Sequence, residues 1–184
     1  MSPFHERLVR ALKLDASVYE EVEGDEEALG QAMAVVVASS LAAGVGTGGE
    51  GGLVVVGIGT LAALFGWVMW ALITWLIGTK LLPGPKTEAD VGQLLRTTGF
   101  SAAPGLLRVL GMIEGLRGPA FLVAAVWMLA AMVVAVRSAL DYESNGRAIA
   151  VCVVGFIVQA AILLLLVFTF VPFDAPVENP AQPG

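Results

Sequence analysis

The chain has 184 residues, a mean hydropathy of +0.83, 57% hydrophobic side chains and 14% charged ones. Soluble domains carry about 25% charge, so a water-soluble globule is excluded and one compact membrane domain accounts for nearly the whole length. A net charge of −6 without a basic stripe excludes nucleic-acid binding and a polybasic lipid anchor, and the lone Cys152 excludes a disulfide framework or a cysteine metal site.

The acidity is local. Residues 1–27 hold eight acids against three bases, while the rest of the chain is almost neutral. Ser2 and Pro3 start a helix in which Phe4, Leu8, Val9 and Leu12 share one face and Arg7, Arg10 and Lys13 take the other. This spacing predicts a short amphipathic helix on the inner membrane surface. Ser17 to Glu20 fits a capping box, Gly24 stops that turn, and Asp25 is placed to cap the first membrane helix, with Glu26 and Glu27 at its positive end. Residues 1–27 therefore read as an acidic cytoplasmic head, joined without a flexible linker. Its charge leaves no room for a cleavable signal, so the first span serves as the targeting signal.

Four windows, 28–49, 51–79, 118–136 and 148–173, contain no Asp, Glu, Lys or Arg, and each is long enough to cross a hydrocarbon core of about 30 Å as a helix. The first span, 28–45, carries Gln31, Ser39 and Ser40 among small residues and is expected inside the bundle. The second, 53–77, begins with Gly57 and Gly59 and ends on Trp67, Trp70 and Trp75, with Trp75 and Lys80 as interfacial anchors. Pro83 and Pro85 close it. A weaker segment, 97–116, contains Arg108 among Pro104, Gly105, Gly111 and Gly115. Pro119 opens the fourth span, which runs to about residue 140. The fifth, 149–171, is the most lipid-like, and the proline-punctuated tail 172–184 reads as disordered.

Cationic loops stay on the cytoplasmic side. If 97–116 crosses, Lys80, Lys86, Arg96, Arg137 and Arg147 join the three head bases inside, and only Arg117 falls outside. The charges thus predict an all-α, polytopic bundle of five transmembrane helices over 28–171, in the cell membrane, N-terminus in and C-terminus out.

Each marked motif has competing readings. The GxGxxG string at 44–49 follows one span and precedes another, with no acidic residue about 20 positions on, and reads as an outer loop. The acids Asp15, Glu20, Glu21, Glu23, Asp25, Glu26 and Glu27 form a solvated face, a docking surface for Arg96, Arg137 and Arg147, or a cation site that lacks EF-hand spacing. Arg108 either lines a site in a broken helix or snorkels to headgroups. Arg137 and Asp141 are four apart and suited to pairing on one helix face; Gln31 and Gln159 suit interhelical hydrogen bonding. No cofactor is expected. The spans contain neither a serine with a buried histidine nor two aspartates, which argues against intramembrane catalysis.

The run 95–111, with Arg96, Gly99, Phe100, Pro104, Gly105, Arg108 and Gly111, followed by Trp127 and by Arg137, Asp141, Tyr142 and Arg147, resembles the prokaryotic branch of the Yip domain family. So does the head string through Asp15, Tyr19, Glu20, Glu23 and Asp25. The resemblance implies five spans and a cytosolic N-terminus. Eukaryotic relatives serve Golgi and endoplasmic reticulum traffic and bind Rab-type GTPases, but the chain lacks their DLxGP and GYG strings, Glu114 replaces an expected proline, and GTPase binding is not carried over. Three lysines and two asparagines suggest a GC-rich genome and a prokaryotic membrane. Two functions follow as expectations. One is a non-enzymatic membrane organiser or partner-binding scaffold with a docked head, its partners being lipids, other membrane proteins or a second copy. The other is a transporter or lipid-translocating protein that engages an anionic group at Arg108.

Overall fold

Every described element is helical, and length sorts the elements into two kinds. The structure is a computed structural model that describes residues 2–170; the tail expected to be disordered, at 172–184, lies outside them. Two short helices form the head, α1 (Phe4–Leu12) and α2 (Ala16–Glu23). Four helices are long and apolar enough to cross a membrane: α3 (Ala28–Gly46), α4 (Gly52–Leu76, continued by a π turn to Leu81), α6 (Arg117–Ala139) and α7 (Asn145–Phe170). Hydropathy is highest in α7, as its run of leucines requires, and burial is greatest in α3, where Ala and Gly allow close neighbours.

Between α4 and α6 the chain does not form one helix. It forms α5 (Val91–Phe100) and then a 3₁₀ segment (Ala103–Met112). Asp90 and Gln93 start α5 with a reciprocal capping box at 2.7 and 2.9 Å. The break has two local causes. Thr97, Thr98 and Ser101 turn their hydroxyls back onto carbonyls three and four residues earlier, which bends a helix, and Pro104 lacks the N–H that would continue it. A 3₁₀ helix rises about 2.0 Å per residue, so the two pieces together extend roughly 35 Å.

This broken segment runs alongside α3. Near the head, Phe100 and Ala103 share a cluster with Ala28, Ala32 and Val35; at the other end a Cβ on Gly46 would overlap the carbonyl oxygen of Arg108. Glycine is what lets the two backbones meet there.

Both hydrophobic clusters lie in the half of the bundle next to the head. In one, Trp70, Ile73 and Ile77 of α4 meet Val136 and Leu140 of α6 and Val151 of α7; in the other, Val18, Tyr19 and Val22 of α2 press onto α3, Phe100 and Ala135. Tyr142 fastens that end by donating to the carbonyls of Gly78 and Leu82. Toward the far end the packing opens. There Leu53, Ile58, Leu61 and Phe65 of α4 are exposed, and the Glu50–Arg117 pair at 2.9 Å links the two far connections.

Candidate functional site

The head is held by a buried arginine. Arg7 is 1% exposed, although its place on the charged face of α1, opposite the apolar one, predicted exposure, because α1 turns that face onto α2. Its guanidinium donates to Glu21 at 3.1 Å, to Asp25 at 2.7 Å and to the Gln31 amide at 3.1 Å. Gln31 is thereby used within the head and not by Gln159. Arg10 adds Glu21 at 2.6 Å and Asp15 at 3.1 Å. Hydrogen bonds from Ser2 and the two guanidinium groups hold the Glu21 carboxyl down to about 2.

Several capping assignments change. Asp15, not Ser17, caps α2 by accepting the Ser17 backbone N–H at 3.0 Å, since it is the residue with extended backbone before the helix. Asp25 accepts from the Glu27 N–H at 3.0 Å, one turn before α3 starts, and spends its other oxygen on Arg7. Tyr19 is fully buried with its hydroxyl unpartnered among the described residues, and burial pushes that phenol upward.

Arg96 is the base that reaches the head, and it does so through backbone. Its Nε donates to the carbonyls of Val22 at 3.0 Å and Glu23 at 3.1 Å, and a second guanidinium nitrogen bonds Glu23 O. A cation is thus set on the negative end of α2. Arg137 and Arg147 do not receive the head's carboxylates. Arg137 donates to the Tyr142 carbonyl at 3.2 Å and Asn145 at 3.0 Å, and Arg147 lies 5.7 Å from the Tyr142 ring. Nor does Arg137 pair with Asp141, which sits past the helix end at φ 50°. Glu20 of the head nevertheless shares a mixed-charge depression with Arg137, Lys86, Asp141 and Glu143, without an ion pair between Glu20 and Arg137. Glu23 is half-buried near Asp141, Glu20 and Asp90, and desolvation raises it to about 7 against the opposing pull of Arg96.

Arg108 has the opposite environment. Its backbone is level with Gly46 at the far end of α3, yet its guanidinium points back toward the bundle, 3.4 Å from Ser39 Oγ and against Met128 Sδ. Ser39 lies about 10 Å inside the far end of α3 by helical rise. This is the reverse of snorkelling, in which the charged head seeks water. Among the described residues Arg108 forms no ion pair. Gly105 makes the space: a Cβ there would overlap Ser39 Oγ and stand 2.7 Å from the Arg108 guanidinium and 3.0 Å from Met128 Sδ.

The guanidinium lines a groove of about 580 Å³ between α3, α4, α6 and α7. Ser39, Ser40, Thr98 and Ser101 give it one polar edge, and Trp67, Trp70 and Phe156 an aromatic wall. Gln159 also faces it. Arg108 was marked in the sequence, but Ser39, Gly105 and Met128 were not seen as its cradle. No spacing joins residues on three different elements; only the small side chains at 39 and 105 hinted at room.

Long apolar helices, a broken segment between them and a packed N-terminal head define a multi-pass α-helical membrane protein. The model of the Yip1 domain matches residues 16–168, and the chain belongs to that family. No curated protein and no solved structure matches the chain.

Proposed function

We propose that the protein is a non-enzymatic, five-span cell-membrane protein, with its head cytoplasmic and its C-terminal end outside, that engages an anionic group at Arg108 and moves or holds it within the bilayer. The fifth crossing is the broken segment after Arg96: residues 97–112 extend roughly 29 Å as mixed α and 3₁₀ helix, close to a hydrocarbon core of about 30 Å. Five crossings keep Lys80, Lys86, Arg96, Arg137 and Arg147 on the head side, in accord with cationic loops remaining in the cytoplasm.

One observation carries the reading. A guanidinium directed away from water and without a carboxylate costs several kcal/mol, on the order of 2.5 to 3.5 at mid-membrane, and a fold that keeps it supplies a ligand site with its counter-charge absent. Scaffolding of lipids, other membrane proteins or a second copy is compatible with the docked head but gives Arg108 no role.

Vesicles containing the reconstituted protein test this against Arg108→Ala, using scrambling of a tail-labelled phospholipid and flux of inorganic phosphate. Activity in the parent chain that falls to background in the variant is the expected result. Background rates of both processes in both proteins would leave scaffolding as the better account.

A further inference from the structure

The groove that holds Arg108 also indicates what kind of anion reaches it. We infer that its occupant is an anionic phospholipid from the surrounding bilayer, with the phosphate on the Arg108 guanidinium and Ser39 and an acyl chain along the aromatic wall of Trp67, Trp70 and Phe156. The inference rests on the anion-engaging function proposed above and adds the ligand class.

Size decides first against a lone inorganic ion. Cavities of about 300 to 1,000 Å³ suit organic ligands, and this one measures about 580 Å³. A phosphate or halide would leave most of it unfilled. Polarity decides next. Arg108, Ser39 and Met128 converge at one place, while the wall toward the head is aromatic, with Trp70 and Phe156 rings 4.5 Å apart. A cation with hydroxyls along one edge and an aromatic wall beside them match an amphiphile, whose charge and chain are similarly divided, and Glu50, the one acid on the groove, is paired with Arg117. Access decides last. Val55 of α4 and Phe156 of α7 both line the groove and are exposed, and Gly59 on the same face of α4 has open space beside it. In a membrane those residues meet lipid, so a chain slides in sideways without first leaving the bilayer.

The depth of the guanidinium adds a consequence. A phosphate bonded to Arg108 and Ser39 sits about 10 Å inside the far end of α3. It is drawn below the interface, a position suited to a lipid in transit and not to one merely resting against the protein.

The tryptophans provide the readout. The full chain with Trp75→Phe and Trp127→Phe retains Trp67 and Trp70, both on the groove. It is reconstituted in phosphatidylcholine and titrated with brominated-chain phosphatidylglycerol or brominated-chain phosphatidylcholine, each with and without millimolar inorganic phosphate. The expected result is half-maximal quenching at about tenfold lower mole fraction of the anionic lipid, as a charge-assisted contact in a dry site would produce. That preference should vanish in Arg108→Gln, return in part in Arg108→Lys and resist inorganic phosphate. Identical curves for the two lipids in the parent chain would overturn the inference whether or not the variants fold. If phosphate flux nevertheless depends on Arg108, anion engagement stands and only the lipid assignment fails. If the lipid preference survives in Arg108→Gln, the groove binds lipid without this residue and both readings fall.

Discussion

Arg7 is buried and Arg108 is partly buried with its guanidinium turned into the bundle, and their surroundings differ completely. Arg7 lies among Glu21, Asp25 and Gln31, with each nitrogen of its guanidinium answered by an oxygen. Arg108 faces a hydroxyl, a thioether and open space. Protein supplies the counter-charge in the first case, so the arginine locks two helices together. In the second it withholds the counter-charge and leaves room for one. The difference separates a structural arginine from one awaiting a ligand more clearly than burial does.

The comparison breaks most visibly at the head. Arg7→Met strands the buried Asp25 carboxylate and leaves Glu21 to Arg10 and Ser2, and should cost about 3 to 5 kcal/mol of head attachment. Protease cleavage around Gly24 should become fast, and adding Glu21→Gln and Asp25→Asn should recover part of the loss. Unchanged cleavage would mean that α1 is not what secures the head. The same replacement at Arg108 should act in the other direction. Arg108→Met removes an unpaired charge and should raise the melting temperature, by the equivalent of up to about 3 kcal/mol, while abolishing lipid or anion engagement. A drop in melting temperature as large as that of Arg7→Met would show that Arg108 has a protein partner after all.

Gly105→Ala sharpens the contrast by filling the cradle. Overpacking of this sort costs about 1 to 3 kcal/mol, and here the overlap is with Ser39 Oγ. Ser39→Ala in the same chain should therefore relieve much of the cost in a thermal melt. If the two effects simply add, the residues are not in contact.

The smallest effect concerns pH. Docking holds Glu23 near 7, whereas a released head returns it to the ordinary carboxylate range. Between those values the docked head keeps a proton that the released one gives up, so attachment is strongest at low pH, weakens as pH rises through 7, and is flat beyond. Amide exchange in α2, corrected for intrinsic rate, should show this trend, and Glu23→Gln should remove it while Asp141, Glu20, Asp90 and Arg96 remain in place. A trend that persists in Glu23→Gln would belong to another group.

The spans were largely legible before the structure. Charge-free windows predict four helices closely, because crossing hydrocarbon requires one long apolar stretch whatever surrounds it. The third segment was legible as interrupted, through Pro104 and its glycines, but not as α followed by 3₁₀, since that depends on Thr97, Thr98 and Ser101 bonding back to their own backbone. Head contacts were least legible. Periodicity puts Arg7 on the charged, outward face of α1, and sign of charge offers Arg96, Arg137 and Arg147 alike as docking partners for the head. A periodic pattern identifies faces without saying what each meets, and charge complementarity cannot foresee that Arg96 would choose carbonyls over carboxylates.

By itself, then, the sequence determined that this is a membrane protein, where its long helices lie and that its acids gather in a head, all of which follow from composition along a line and the demands of hydrocarbon on a backbone. Tertiary structure alone decided that Arg7 is satisfied and Arg108 is not. Satisfaction of a charge depends on distances between elements far apart in the chain: Arg7 to Asp25 across a head turn, Arg108 to Ser39 across two membrane segments.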